Sequence, residues 1–335
     1  MPPALEEPTF VKLSPVAEAI AALAEGAALC RRVRADARFQ TKGDASPVTV
    51  ADFAVQAVVA RRLYAAVPEL ALVAEEDSRS LRNEAARDML GDVVGQVRAS
   101  VPGARAEDVL GWIDLGRGQP ASDFWTLDPV DGTKGFRRGG QYAIALAHIR
   151  NGDVVQAYLA CPALSLPVAG LSDAAGVMAI AARGSGAWVR PLAGGAWVRL
   201  RTSEMDDPRL SRGLRSVEGA HTDEAWLNRI LTDLRVERAP DRMDSQAKYL
   251  VVAAAKADWI FRLVPPSDRN HREWIWDQAA GALLVEEAGG RVTDLEGAPL
   301  DFGAGRRLER NIGVLTTNGR LHDAALAALR RAWPR

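Results

Sequence analysis

The stretch Trp125–Ala143, reading WTLDPVDGTKGFRRGGQYA, constrains the fold more than any other part of the chain. An apolar run breaks off there into acid, glycine and threonine. Pro129 has no amide hydrogen and a fixed φ, so the chain leaves a strand in a stiff turn, and Asp128 and Asp131 on either side of it can face one point. Gly132 and Thr133 follow. A helix starting there would aim free backbone N–H groups and the positive end of its dipole at the same place. Carboxylates and N–H donors that converge suit a cation and a phosphate together, because Mg²⁺ is usually shared between a few carboxylates and substrate phosphate. Taken alone, DPVDG is just as readily a plain turn.

The chain has 335 residues, 48% of them hydrophobic, which is enough for two domains sharing a cleft. Lys+Arg 42 against Asp+Glu 43 leaves a net charge of −1, so no basic field draws in a nucleic acid polymer and any anionic ligand must be met locally. Cys30 and Cys161 are too few for a disulfide framework or a thiolate metal site, and burial as core residues in a reducing compartment is expected. Apolar runs fall short of the ~18 residues that span a bilayer. The opening MPPALEEPTF lacks the charged-then-apolar pattern of an export signal. A soluble, cytoplasmic protein with no membrane partner is the expectation.

Residues 14–38 carry a helical stripe (Val16, Ile20, Leu23, Ala27, Leu29), and Val48–Val50 is short and β-prone. Asp52 then heads a helix whose apolar face includes Phe53, Val55, Val59 and Leu63, where an Asp is most simply a cap. Leu70–Val73 reads as a strand ending in Glu75-Glu76-Asp77. Helices are predicted near 82–98 and 106–115. Tyr142–Ile149 and Val154–Cys161 read as strands around an Asn151-Gly152-Asp153 turn. Further β-like pieces at 177–182, 187–190 and 196–201 extend an antiparallel sheet. The polar stretch 203–213 marks a boundary, giving domains 1–204 and 205–335. Beyond it strands and helices alternate: a helix from Thr222 or Asp223, an alanine-rich helix starting near Ser245, Gln246, Lys248 and Tyr249, an Ala/Leu helix starting near Asp277, a stop at Gly289-Gly290, a strand at 311–317 and a closing helix at 319–332. Ser245 and Lys248 at a helix start are either a cap with a solvated lysine or a phosphate grip. Asp277 is either a cap or a ligand.

The string WxLDPxDGTKGFxRGxQ closely resembles the metal-binding signature of the lithium-sensitive, Mg²⁺-dependent phosphatase superfamily that includes inositol monophosphatases, fructose bisphosphatases and 3′(2′),5′-bisphosphate nucleotidases. Lys134 in TKGF resembles the nucleotidase branch, as does AEDVLGWIDLGRG at 106–118. KxDxSPVTxADxxxQ resembles the first acidic motif and brings in Asp44 and, more strongly, Asp52. AEED resembles the GEE element at Glu75, with Ala74 in place of the common Gly. DSQxKYxxxAxxxADxxxRL resembles the part that holds the adenosine monophosphate moiety, and WDxAAGxxxxxEAGGxxTD the final metal motif. Gln278 and Trp274 depart from the His and Lys often found at their positions.

The resemblance implies a layered αβαβα sandwich. Its first domain is of α+β type with an antiparallel sheet, and its second is α/β with a mostly parallel sheet that binds nucleotide. Two or three Mg²⁺ ions are implied, held by Glu75, Asp128, the Val130 carbonyl, Asp131 and Asp277. Asp52 and Thr133 would activate the attacking water. Gly132, Thr133, His221, Ser245, Lys248, Arg262 and Asp277 would hold a small phosphorylated nucleotide. The implied reaction on a monomeric enzyme is hydrolysis of adenosine 3′(2′),5′-bisphosphate to AMP and phosphate, and of the 3′-phosphoadenylyl sulfate form. Two alternatives stand beside it: an inositol (poly)phosphate phosphatase and a non-catalytic nucleotide-binding regulator.

Overall fold

The computed structural model describes residues 8–12, 15–36, 50–169, 171, 176–218, 223–264, 268 and 270–333. Asp44 and His221 lie outside these, as does all of the β-prone stretch except Val50, which opens a helix.

Helices α1 (Val16–Ala35) and α2 (Val50–Ala66) pack against each other and cover one face of a seven-stranded sheet. Its strands follow sequence order: β1 (Leu72–Ala74), β2 (Asp123–Asp131), β3 (Ala143–Arg150), β4 (Asp153–Cys161), β5 (Val177–Ala182), β6 (Gly186–Pro191) and β7 (Val198–Arg199). Only β1 and β2 run parallel; the later neighbours are antiparallel. Both faces are covered, so β3 and β5 read as continuous apolar runs rather than alternating ones. Asn151 and Gly152, with φ of 52° and 85°, form the β3–β4 turn, a conformation that suits this Asn-Gly pair. Between β1 and β2, α3 (Arg87–Arg98) and α4 (Ala106–Asp114) pack beside α2. The helix expected from residue 82 starts at Arg87, because residues 78–82 and 84–86 are short 3₁₀ turns capped by Asp77 and Asn83.

A short α5 (Thr133–Arg138) follows β2. The second sheet has five strands, β8 (Gly213–Arg215), β9 (Asp241–Arg242), β10 (Trp259–Arg262), β11 (Arg291–Thr293) and β12 (Val314–Thr317), in the order β11-β12-β10-β8-β9. Strands β8, β9 and β10 are parallel, whereas β12 runs against both β10 and β11, so the sheet is mixed. Between the sheets lie α7 (Ala247–Ala253) and α8 (Ala279–Glu287), and outside the second sheet lie α6 (Glu224–Asp233) and α9 (His322–Ala332). Strand β10 shows why the layers hold. Ile260 joins the core between the sheets, while Trp259 and Phe261 join the outer core with Trp226, Leu315 and Leu329. Each such large side chain contributes ~1.5–3 kcal/mol on burial. The order helix, sheet, helix, sheet, helix is the layered α+β and α/β arrangement expected from the sequence.

Candidate active site

The site starts from a defect in β2. Asp128 pairs with Ala145 and Asp131 with Ala143, so Pro129 and Val130 together face the single Ile144. This is a bulge, a place where a strand tolerates a residue without an N–H. In an unbroken strand residues three apart face opposite sides; the extra residue brings both carboxylates into one cleft. The Val130 N–H donates to Asp128 Oδ1 at 3.1 Å. Gly132 then takes φ of 83°, and a Cβ there would come within 2.9 Å of the Ser245 Cβ. Its carbonyl accepts from Phe136 N at 2.9 Å, which starts the helix expected after the motif.

The remaining acids arrive on separate elements. Because β1 is parallel to β2, Glu75 leaves its strand beside Leu127, whose carbonyl accepts its N–H at 3.2 Å. The turn is held by buried Gln56, which donates to the carbonyls of Glu76 (2.6 Å) and Ile113 (2.8 Å) and accepts from the Glu76 N–H (3.0 Å). Asp52 is buried in the first turn of α2, with its Oδ1 3.4 Å from the Thr133 hydroxyl. That hydroxyl also lies 3.1 Å from the Val130 carbonyl. Asp277 sits in the turn before α8. The helix is capped by Gln278 without a side-chain bond, so Asp277 is not its cap.

Opposite the acids stands a buried basic pair. Lys248 is 3% exposed and donates from Nζ to the Ser245 carbonyl at 2.9 Å, so it is not the solvated lysine that a capped helix would present. Arg262 pairs with buried Glu273 at 2.5 Å, and Glu273 also accepts from Gln278 Nε2 at 3.0 Å. Gln278 in turn accepts from the Tyr249 hydroxyl. Asp131 accepts from the Gln246 N–H, and the Gln246 side chain reaches the Trp276 carbonyl (2.9 Å) and the Gly281 N–H (3.0 Å), joining α7 to α8. At the rim Lys134 pairs with Glu218 at 3.2 Å, and Arg138 pairs with Glu218 and with Asp244, the latter at 2.8 Å.

A cleft of about 230 Å³ is lined by Glu75, Asp128, Val130, Asp131, Gly132, Thr133, Ser245, Lys248, Arg262 and Asp277, with Ser216, Asp244 and Gln246 among the further lining residues. Asp52 reaches it through Thr133. The departing residues Ala74, Trp274 and Gln278 do not line it. Gln56, Gln246 and Glu273 have structural roles that sequence reasoning had not assigned. Of these, Glu273 carried a signal, being an acid directly before the apolar run Trp274-Ile275-Trp276.

Burial pushes Asp128 well above the usual carboxylate range, and the charges of Glu75, Asp131, Asp277 and Asp52 push it further. Asp277 rises for the same reasons, burial first and then Asp131. For Asp131, burial raises the pKa while Lys248, the Gln246 N–H and Arg262 oppose the rise. Burial and then Glu76 and Asp52 push Glu75 up to about 8. The Glu75 side chain nevertheless keeps contact with solvent, so like-charge crowding is the firmer of its causes. Burial and then Arg262 lower Lys248 to about 8.

Among the described residues, no three Asp, Glu, His or Cys side chains are drawn together tightly enough to hold a metal ion as they stand. In its chemistry the lining fits a hard cation: the donors are carboxylate and carbonyl oxygens without thiolate or imidazole, and their crowded charges favour a positive partner.

The model of the inositol monophosphatase family matches residues 12–333, and the chain belongs to that family. Within it, the chain is 40% identical over 338 residues to a 3′(2′),5′-bisphosphate nucleotidase of Oryza sativa, covering 95% of this chain and 94% of the rice protein. It is 36% identical over 307 residues to a 3′(2′),5′-bisphosphate nucleotidase of Schizosaccharomyces pombe, covering 86% and 85%. Among solved structures its fold is similar to Mycobacterium tuberculosis SuhB, with a TM-score of 0.62, 22% identity and 98% of both chains covered. It is also similar to an IMPase of Thermotoga maritima, with a TM-score of 0.63, 20% identity and coverage of 96% and 98%. Among the described residues no helix is long and apolar enough to cross a membrane.

Proposed function

We propose that the chain is a Mg²⁺-dependent phosphomonoesterase that removes the 3′(2′)-phosphate of adenosine 3′(2′),5′-bisphosphate, giving AMP and phosphate, and that it accepts 3′-phosphoadenylyl sulfate as well. One observation carries this reading: Lys248 and Arg262, both cationic and largely buried, line the same cleft as Glu75, Asp128, Asp131 and Asp277. A ligand that satisfies both zones needs two anionic groups on one frame, one to react among the acids and one to stay with the bases. The rice and fission-yeast relatives, both named as 3′(2′),5′-bisphosphate nucleotidases, agree with such a substrate.

In this reading Glu75, Asp128, Asp131, Asp277 and the Val130 carbonyl would hold two or three Mg²⁺ ions. The bound cations would supply Lewis-acid chemistry, neutralising phosphoryl charge and acidifying water. Asp52 orients the Thr133 hydroxyl, which positions the attacking water; as the water oxygen approaches phosphorus its proton passes to the Thr133 oxygen while that hydroxyl's own proton moves to the Asp52 carboxylate. The P–O ester bond opposite breaks, and the departing 3′-oxygen takes a proton from solvent water in the open cleft. Lys248, Arg262 and Ser245 keep the 5′-phosphate in place, which fixes the reacting phosphoryl group in line.

The test is phosphate release from adenosine 3′,5′-bisphosphate, 3′-phosphoadenylyl sulfate and inositol monophosphates at matched concentrations, with AMP followed by chromatography. Faster turnover of the inositol esters would replace this reading with an inositol phosphatase. Tight nucleotide binding without phosphate release from any of them would replace it with a regulator.

A further inference from the structure

Glu75 and Asp277 come from opposite ends of the chain and from different layers, one following β1 of the first sheet and the other preceding α8. No covalent connection or shared strand sets their separation. One side chain touches the neighbours of both. Arg306 donates from Nη2 to the Ala74 carbonyl at 2.6 Å, across 232 positions, and from Nη1 to the Gly118 carbonyl at 3.0 Å. Its guanidinium also lies over the Trp276 ring, 5.0 Å from the centroid. Ala74 immediately precedes Glu75, and Trp276 immediately precedes Asp277.

The backbone around Arg306 is fixed on the Asp277 side. The Ile275 N–H donates to the Arg306 carbonyl at 3.1 Å, the Leu308 N–H to the Glu273 carbonyl at 2.9 Å, and Trp274 forms an antiparallel bridge with Arg307. Trp274 and Trp276 stack at 4.7 Å, and the Arg307 guanidinium sits 3.4 Å from the Trp274 centroid. The far side is equally well placed. Gly118 donates to the Leu72 carbonyl at 2.9 Å, so its own carbonyl lies beside β1, and a Cβ at Gly118 would come within 2.4 Å of Leu72 O. A planar fork can reach two carbonyls while its face rests on an indole; an ammonium cannot do both. Trp274, which departs from the lysine often found at its position in the resembling branch, is part of this stack rather than of the cleft lining.

We infer that Arg306 is a positioning residue, bridging the Ala74 and Gly118 carbonyls to the Trp276 ring and thereby setting the distance between the Glu75 and Asp277 sides of the cleft. The inference rests on the proposed reading, in which those two carboxylates hold Mg²⁺. Groups that orient metal ligands typically change affinity or activity 10–100-fold when removed.

The test is Mg²⁺ titration by calorimetry, with Mn²⁺ binding followed by electron paramagnetic resonance, on chelator-stripped full-length protein. Arg306→Met should weaken both by about 10-fold or more and lower kcat while leaving KM for the nucleotide within about twofold. Arg306→Lys, which keeps the charge and the stem, should behave in the same way and answers the question should the methionine variant not fold. Arg307→Met removes a guanidinium from the same stack whose hydrogen bond goes to the Arg272 carbonyl rather than to β1, and should stay within about twofold of wild type throughout. Arg306 variants that bind Mg²⁺ like a Mg²⁺-binding wild type would overturn this inference alone, as would an equal loss in Arg307→Met. A wild-type protein that binds no Mg²⁺ would overturn the function reading and this inference with it.

Discussion

With divalent cations chelated, the acidic cleft should cost this protein stability as pH rises from about 4.5 to about 8, most visibly above pH 6.5, where the opposite gain from buried His322, its pKa lowered to about 4, is complete. Glu75 and Glu76 are both held up to about 8 from the ordinary 4.5, by burial and by neighbouring carboxylates. Their folded-state pKa lies above the unfolded one, so between the two values the folded chain binds more protons. The associated stability is complete below 4.5 and is lost as pH passes through about 8. A rise of that size corresponds to ~5 kcal/mol per group. Glu75 is exposed and Glu76 half-buried, and solvent screening reduces the figure to ~1–2 kcal/mol each. The pair therefore accounts for roughly 3 kcal/mol, or about 5 °C or more in melting temperature, and Asp128, Asp131 and Asp277 act in the same direction. Thermal melts in EDTA at pH 5, 6.5 and 8, repeated with saturating Mg²⁺, measure it. Mg²⁺ should restore stability at pH 8 and add little at pH 5, where protons already occupy the same oxygens. A melting temperature in EDTA that is flat or rising from pH 6.5 to pH 8, or a Mg²⁺ effect equal at pH 5 and pH 8, would refute the reasoning.

Asp131→Asn should lower kcat by ~10² or more without changing the far-ultraviolet circular dichroism, since the isosteric amide keeps an oxygen for the Gln246 N–H but not the charge. Lys248→Met should raise KM for the bisphosphate nucleotide at least about 10-fold while turnover of an inositol monophosphate changes much less, because only the former has a second phosphate for the buried ammonium; steady-state kinetics on both substrates decides. Glu273→Gln leaves the Arg262 guanidinium largely buried without its counter-charge and should cost ~3–5 kcal/mol in urea unfolding. A cost below 1 kcal/mol would mean that the pair is solvated.

Local signals in the sequence were enough for the elements that carry the acids. Periodicity located α1, α4 and α9, and the Asn151-Gly152 pair located the β3–β4 hairpin. The single break at Pro129 marked the place where β2 turns into the cleft. The β-prone Val48–Val50 misled at Val50, where the β-branched propensity yields to a helix buried against α1 and the first sheet. Nothing local distinguished a solvated Lys248 from a buried one. Its fate depends on Arg262, Asp131 and Asp244, which arrive from other parts of the chain. The same holds for Gln56, Gln246 and Arg306, each of which is bonded to main-chain atoms. A backbone carbonyl or N–H leaves no mark on composition or spacing, so such partners become visible only with the fold in hand.

The slip between β2 and β3 has a consequence of its own. A regular strand reading Asp-x-Asp would also have turned two acids the same way, so presenting the carboxylates does not require the additional residue. What that residue changes is the main chain. Pro129 and Val130 lack individual partners in β3, and the Val130 oxygen turns to the Thr133 hydroxyl instead. Replacing the valine side chain leaves that oxygen in place, so among the oxygen atoms grouped here it is the one that point substitution at its own position does not delete. A change in the number of residues between the two aspartates would remove it.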